Sequence, residues 1–425
     1  MIDNLNIVSK YNFWNNPIKT GYVRQRYLDQ LVHFQHSRLI KVLVGQRRVG
    51  KSFVLRQYIA HLINQGVPAR NTLYINKEFT DFDFIANQRD LHEFIQFYSV
   101  HSKIEGRLYV FIDEVQQIQE WERIVNSLSQ DFTEDIDLFI TGSNSELLSG
   151  ELASLLSGRY VRFNILPFRF DEYCAYQKKE ASRKNYVQFL NQGALPELFF
   201  LPTEESKMFY VSSLKDTIIL RDIVQRYSIK DAVLLIDIFN YVTNNIGNQF
   251  SVNNVVNYFQ SKKRKTNYET VANYLNYLAQ TFVIHRCERY DIRGKELLGG
   301  NAKFYLNDLA FRNYLFGSNT SGYGNVLENS VYLELLKAEF QVYVGALRDK
   351  EIDFVATKNK KTVFVQVAFT LENEATFDRE MGNLLSLKNN HPKVIVTMDE
   401  LPYTEKEGIH FVQAWELGAF LKGYS

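Results

Sequence analysis

The chain has 425 residues, 45% of them apolar and 23% charged, which is enough for more than one packed domain and argues against wholesale disorder. Lys and Arg number 49 against 48 Asp and Glu, so a nucleic-acid surface has to be a local patch rather than a global basic field. Cys174 and Cys287 are far apart and give neither a disulfide framework nor a metal spacing; with no apolar run of membrane-spanning length and no signal-peptide core near Met1, the expectation is a cytoplasmic protein without a membrane.

The first third alternates short apolar runs with helical periodicity, the pattern of a parallel α/β sheet. Strands are expected at Arg38–Val44, Thr72–Asn76, Leu108–Ile112 and Ile136–Thr141, with a fifth at Val161–Ile165 closed by Pro167. Helices are expected between them at Ser52–Asn64, Leu91–Val100 and Trp121–Gln130. From Phe168 to Gln225 the pattern is helical, broken at Gly193-Ala194-Leu195-Pro196. Asp231–Leu315 reads as short helices followed by two strand-like runs. A second α/β segment starts near Asn325, with strands at Phe340–Val344, Ile352–Ala356, Thr362–Val367 and Lys393–Thr397.

The first strand runs into Gly45-Gln46-Arg47-Arg48-Val49-Gly50-Lys51-Ser52, a match to G-x-x-x-x-G-K-[ST], and Phe53 continues it into a helix. Glycines let the backbone fold around phosphates with its N–H groups inward, Lys51 suits the β- and γ-phosphates of ATP, and the Ser52 hydroxyl suits Mg²⁺. The third strand ends in Asp113-Glu114. Ligands bind at the carboxyl end of a parallel sheet, so Asp113 is expected on Mg²⁺ and Glu114 as general base on the attacking water. After the fourth strand, either Ser143 or Asn144 is placed to bond that water or the γ-phosphate, and the same residues also read as a turn capping a helix at Glu146. Arg159, in Ser157-Gly158-Arg159-Tyr160 just beyond a short helical stretch, has the guanidinium geometry for a transferring phosphoryl group, against its plain reading as a surface residue.

These pieces together, GQRRVGKS, IDEVQQIQEWERIV and TGSNSELLSGELASLLSGRY, resemble the AAA-type ATPases of bacteria and archaea that carry an additional C-terminal domain of unassigned function. The resemblance implies further catalytic strands between the phosphate loop and the acidic strand. It also implies Ser143 or Asn144 as the first sensor, and Arg159 as a finger acting on a neighbouring subunit of a ring or dimer. Gly193–Pro196 is similar to the Gly-Gly-x-Pro turn of related switch ATPases, which would put Pro196 near the adenine. Ala194 departs from that turn, and a helix C-cap followed by a proline stop is the competing reading.

In the middle segment, a helix begun by Ser251, the loop Lys262-Lys263-Arg264-Lys265, a helix at Tyr268–Gln280 and two strands around Arg293-Gly294-Lys295 follow the order of a winged helix. Between Ser261 and Glu296 stand eight Lys/Arg against four acidic residues. Duplex DNA is therefore an expected partner, with Lys262, Lys263, Arg264, Lys265, Arg293 and Lys295 on its phosphates; a protein-interaction module is the competing reading. In the last segment, Glu328, Asp353 and the strand Val363–Ala368 are arranged like a restriction-endonuclease-like core. Gln366 stands where its second carboxylate would be and Ala368 where its lysine would be, so cleavage looks lost.

The expected architecture is α/β: a P-loop NTPase parallel sheet over 1–167, a helical lid over 168–228, a winged helix over 229–316 and a degenerate restriction-endonuclease-like α/β domain over 317–425. The expected activity is Mg²⁺-dependent ATP hydrolysis in a homo-oligomer, coupled to the C-terminal modules. A slow nucleotide-gated scaffold acting through protein partners is the first alternative. An ATP-dependent nuclease is the second, disfavoured by Gln366 and Ala368. His101, His285 and His391 show no ligand spacing.

Overall fold

The computed structural model describes residues 2–131, 133, 135–148, 158–317, 322–348 and 350–424. It divides into two compact units, Met1–Leu166 and Pro167–Ser425. The short helical stretch expected before Gly158 lies outside the described residues.

The first unit opens with α1 (Ile2–Ser9) and α2 (Gln25–Val32), neither foreseen, and then alternates strand and helix. β1 (Ile40–Val44), α3 (Lys51–Asn64), β2 (Thr72–Asn76), α4 (Gln88–His101), β3 (Leu108–Asp113), α5 (Trp121–Gln130), β4 (Ile136–Gly142) and β5 (Tyr160–Asn164) follow. The five strands form an all-parallel sheet in the order β2-β3-β4-β1-β5. β1 to β4 are buried along their whole length, as strands covered on both faces must be, whereas β5 at the edge is largely half-exposed. The helices are set by local chemistry. Asn87 caps α4, accepting from the N–H groups of Arg89 and Asp90, while the Asp90 carboxylate reaches back to the N–H of Asn87. Because β4 lies between β1 and β3, the segments after β1, β3 and β4 emerge side by side at the carboxyl edge of the sheet.

The second unit begins with α6 (Phe170–Gln177), α7 (Arg183–Gln192) and α8 (Glu204–Thr217), the last running on as a π-helical turn over Ile218–Gln225. There follow α9 (Ala232–Asn244), β6 (Gln249–Phe250), α10 (Val252–Ser261), α11 (Tyr268–Gln280), β7 (Ile284–Asp291), β8 (Glu296–Leu306) and α12 (Ala310–Phe316). Val271, Tyr274, Leu275 and Leu278 form the buried face of α11, as their spacing predicts. The last segment contains α13 (Tyr323–Lys337), β9 (Gln341–Leu347), β10 (Lys350–Lys358), β11 (Lys361–Ala368), α14 (Glu374–Leu385), β12 (Lys393–Thr397), β13 (Glu405–Lys406), β14 (Ile409–Gln413) and α15 (Leu417–Leu421).

The strands of the middle and last segments form one sheet, in the order β13-β14-β12-β11-β10-β9-β7-β8-β6. The join is a short parallel pairing of β7 with β9, Arg289 to Val344 through Asp291 to Ala346. Gly345 sits in that join because a Cβ there would meet Ile352 Cβ and Val355 Cγ2 at 2.9 Å each. Opposite it, the pairing of β9 with β10 shifts register between Ile352 and Val355, a bulge that re-aims Asp353 between them. Among the described residues no helix is long and apolar enough to cross a membrane.

Candidate functional site

The loop after β1 is shaped by its glycines. A side chain at Gly45 would bring its Cβ to 2.2 Å from the carbonyl oxygen of Ile165, and Gly50 adopts a φ of 98° at the start of α3. Val49 is buried and anchors the loop. Gln46 is buried as well, while Arg47 extends to Glu78 at 2.5 Å. Arg48 is exposed with a φ of 70°. Phe53 faces outward, its ring under the Arg56 guanidinium at 4.2 Å and close against Gly21.

Lys51 folds back over this loop. Its ammonium donates to the carbonyl oxygens of Gly45 at 3.0 Å and Gln46 at 3.3 Å, and lies 3.5 Å from Glu114 Oε1. Glu114 has a φ of 55°, a left-handed backbone conformation uncommon for a residue with a side chain. Its Oε2 accepts from Ser143 Oγ at 3.0 Å and from Gln116 Nε2 at 2.6 Å. Burial opposes a charge on Glu114, but the Lys51 and Arg47 cations and these hydrogen bonds outweigh it and hold the carboxyl below its ordinary range.

Asp113 has the opposite balance. Burial, then the neighbouring Glu114 charge, push its carboxyl above the ordinary range, against hydrogen bonds from Ser52, Thr141 and Tyr74. Tyr74 donates to it at 2.8 Å and Thr141 donates to its other oxygen. Thr141 Oγ1 also accepts from the Glu114 N–H at 3.0 Å, so one hydroxyl holds both acids. The Ser52 hydroxyl is one of the groups that favour the charged Asp113 carboxylate, and both offer hard oxygens of the type that Mg²⁺ takes.

The loop thus brings together Lys51, Ser52, Asp113, Glu114 and Ser143. Asn144 is buried beside Ser143. Arg159 does not join them. It is exposed just ahead of β5, where its carbonyl accepts from the Ile40 N–H, at the end of the sheet opposite the phosphate loop. Pro196 belongs to the second unit, in a short helical turn Pro196–Phe199. Gly193 ends α7 with a φ of 83°, and Asp308 accepts from the Ala194 N–H at 2.8 Å, so this turn has the geometry of a helix stop. Sequence reasoning missed Tyr74, Thr141 and Gln116. Thr141 stood in the motif Thr141–Asn144, and only the pairing of β3 with β4 reveals what it holds.

On the middle segment, Lys262, Lys263 and Lys265 are exposed, while Arg264 is tied to Asp231 at 2.8 Å. Arg293 and Lys295 are exposed on the turn between β7 and β8.

In the last segment, Glu328 on α13 and Asp353 on β10 converge, but around a cation that the sequence did not disclose. Lys303 on β8 lies 2.8 Å from Glu328 Oε1, 2.8 Å from Glu351 Oε1 and 4.0 Å from Asp353 Oδ1. Glu328, readable as an unremarkable surface carboxylate, is instead buried, accepting also from Tyr305 OH at 2.6 Å. Gln366 accepts from the Asp353 N–H at 2.8 Å and donates to Glu380, and Ala368 packs into the apolar core with Ile352 and Leu371. Burial first, then Glu328, push the Asp353 carboxyl well above its ordinary range. Among the described residues no group of three His, Cys, Asp or Glu side chains is arranged to hold a metal ion.

Residues 37–174 match the family model described as an AAA domain, and residues 183–322 match a domain of unknown function, DUF8612. An uncharacterized protein of Haemophilus influenzae is 36% identical over 393 residues, which cover 92% of this chain and 96% of that one. The chain belongs to that protein's family. An uncharacterized protein of Methanocaldococcus jannaschii is 28% identical over 421 residues, covering 94% of this chain and 88% of its own. Among solved structures, a Walker-type ATPase of Pyrococcus abyssi is 14% identical, with a TM-score of 0.48 over 69% of this chain and 96% of that chain. The first unit of this family member is an α/β, AAA-type P-loop domain built on a five-stranded parallel sheet.

Proposed function

We propose that the protein binds ATP at Gly45–Phe53 and hydrolyses it. The observation that carries this reading is Glu114, buried yet kept charged by Lys51 and Arg47 and aimed by Ser143 and Gln116, beside a second acid bonded to the Ser52 hydroxyl. In it, Glu114 takes a proton from the attacking water, Ser143 or Asn144 orients that water, and Lys51 meets the β- and γ-phosphates. Ser52 and Asp113 would hold Mg²⁺, which when bound offsets the negative charge on the phosphates. ATP turnover of the wild type against Glu114→Gln, each with and without duplex DNA, tests the reading. Wild-type turnover indistinguishable from Glu114→Gln would overturn it, and slow turnover indifferent to DNA would favour a nucleotide-gated scaffold.

Arg159, exposed and at the far end of the sheet, fits a role on a neighbouring subunit in a ring or dimer. Scattering that gives a monomer under all nucleotide conditions would remove it from catalysis. The second unit is read as a helical lid (168–228), a winged helix (229–316) and a degenerate nuclease-like domain (317–425). A contact with duplex DNA through Lys262, Lys263 and Lys265 is favoured by their exposure. Arg264 is committed to Asp231. Loss of the nuclease activity is supported by Ala368 in the apolar core and by Lys303 among the acids.

A further inference from the structure

Below the turn between β7 and β8, within the second unit, lies a cavity of about 550 Å³, in the size range of small-molecule sites. Its floor is apolar and partly aromatic: Tyr290, Leu347, Val355, Phe364 and Leu387. Val355 and Phe364 are directly paired across β10 and β11, so their side chains lie side by side on one face of the sheet. Arg293 and Lys295 from the turn, and Lys388 from the loop after α14, stand on its rim and are exposed. Among the described residues no carboxylate lines it; Asp291, next to the turn, spends one oxygen on the Arg293 N–H at 2.9 Å. Thr357, Thr362, Ser386 and Asn389 add hydroxyl and amide groups to the walls.

Three cations converging on a cavity without an opposing acid select an anion, in a chain whose overall charge is close to zero. An apolar floor with aromatic members selects a flat apolar body, and the hydroxyl and amide groups select one with hydrogen-bonding edges. A base carrying a phosphate has all three properties. We propose that this cavity binds a nucleotide unit, with the base over Tyr290 and Val355 and the phosphate between Arg293, Lys295 and Lys388. Arg293 and Lys295 then serve this pocket rather than the backbone of a duplex. The site belongs to the second unit, and the inference does not rest on ATP hydrolysis.

The unit comes either from a free mononucleotide or from the phosphorylated end of a nucleic-acid strand. The test is calorimetry on the full chain carrying Lys51→Ala, which disables the phosphate loop, with adenosine monophosphate and with a short 5′-phosphorylated oligonucleotide as probes. Saturable binding of the mononucleotide identifies the free ligand, and binding of the oligonucleotide alone identifies a strand end. In either case Arg293→Ala with Lys388→Ala, both exposed positions, lowers the affinity about tenfold or more through loss of charge-assisted contacts. Thr362→Phe, an aromatic residue well suited to a strand, lowers it by filling the cavity. Binding of neither probe, or binding unchanged by both variants, overturns the proposal.

Discussion

The Lys51 ammonium lies 3.5 Å from the Glu114 carboxylate, so the cation expected on the phosphates also holds the expected base in its charged form. Both side chains are buried, and each therefore depends on the other. Lys51→Met leaves Glu114 buried with Arg47 as its remaining nearby cation, at a cost of roughly 1–3 kcal/mol. Adding Glu114→Gln to Lys51→Met recovers most of that loss, because a neutral amide needs no counter-charge. Chemical denaturation of the two single variants and the double variant reads the coupling; additive effects would break the link.

Thr141 joins the two acids through one oxygen, donating to Asp113 and accepting from the Glu114 N–H. Thr141→Val keeps the shape and removes both bonds, leaving a buried N–H and a carboxylate short of a donor. Turnover is expected to fall by about ten- to a hundredfold, with a higher Mg²⁺ requirement, since each lost hydrogen bond is worth about 1–2 kcal/mol. Thr141→Ser should restore the Mg²⁺ dependence, which distinguishes a positioning role from a packing one. Steady-state rates across a Mg²⁺ titration check both points.

Deep in the first unit, far along the strands from the loop, Lys41 and Asp137 form a buried pair at 2.5 Å across β1 and β4. Burial pushes the Asp137 carboxyl up to about 6, against the pull of Lys41. An acid whose pKa rises on folding takes up protons as it folds, so its contribution to stability shrinks as pH climbs from about 4 to about 6. Lys41→Met with Asp137→Leu should flatten that part of the stability profile and be neutral or stabilising by about 1–4 kcal/mol at pH 7.5. Asp137→Leu alone should cost about 3–5 kcal/mol by stranding the ammonium. Denaturant melts at several pH values decide it.

The strands of the first unit were legible to within a residue or two because strands buried on both faces are continuous apolar runs, as in Leu108–Ile112. The phosphate loop, Asp113 and Glu114 were legible for a related reason: a glycine loop and an acidic strand end are local features. What stayed hidden depends on strand order. Thr141 acts on Asp113 only because β4 pairs with β3, and Lys303 on β8 meets Glu351 and Asp353 on β10 because the middle and last segments share one sheet. The β7–β9 join is a short parallel pairing between distant segments, with no turn to mark it. The helices α1 and α2 were missed because each is only eight residues long, and α2 starts from Arg24 without a capping side chain.

Lys303 is the cation among the acids Glu328, Glu351 and Asp353, and its charge is kept because they outweigh the burial that opposes it. Removing it as Lys303→Met would bury Glu328 without a counter-charge and is expected to cost about 3–5 kcal/mol. Lys303→Arg keeps the charge but not the compact point of contact, and should fall between the two. Thermal unfolding ranks the three proteins. The wild type should show no Mn²⁺-dependent nicking of plasmid DNA; nicking that disappears in Asp353→Ala would mean that the acids still work as a nuclease.

On the basic loop, Lys263 and Lys265 are exposed while Arg264 is held by Asp231, so the four cations of the run are not equivalent. If the loop meets duplex phosphates, each free lysine releases about one counterion, and Lys263→Glu with Lys265→Glu should lower affinity and reduce the salt slope by about 2. Arg264→Ala should change that slope little and instead loosen the contact with the start of α9, where Asp231 also caps the Leu234 N–H at 2.9 Å. Fluorescence anisotropy with a labelled duplex, repeated over a range of salt, separates the two effects. An unchanged affinity in the double charge reversal would leave this loop as a solvated turn, because no packing loss at these exposed positions competes with the electrostatic one.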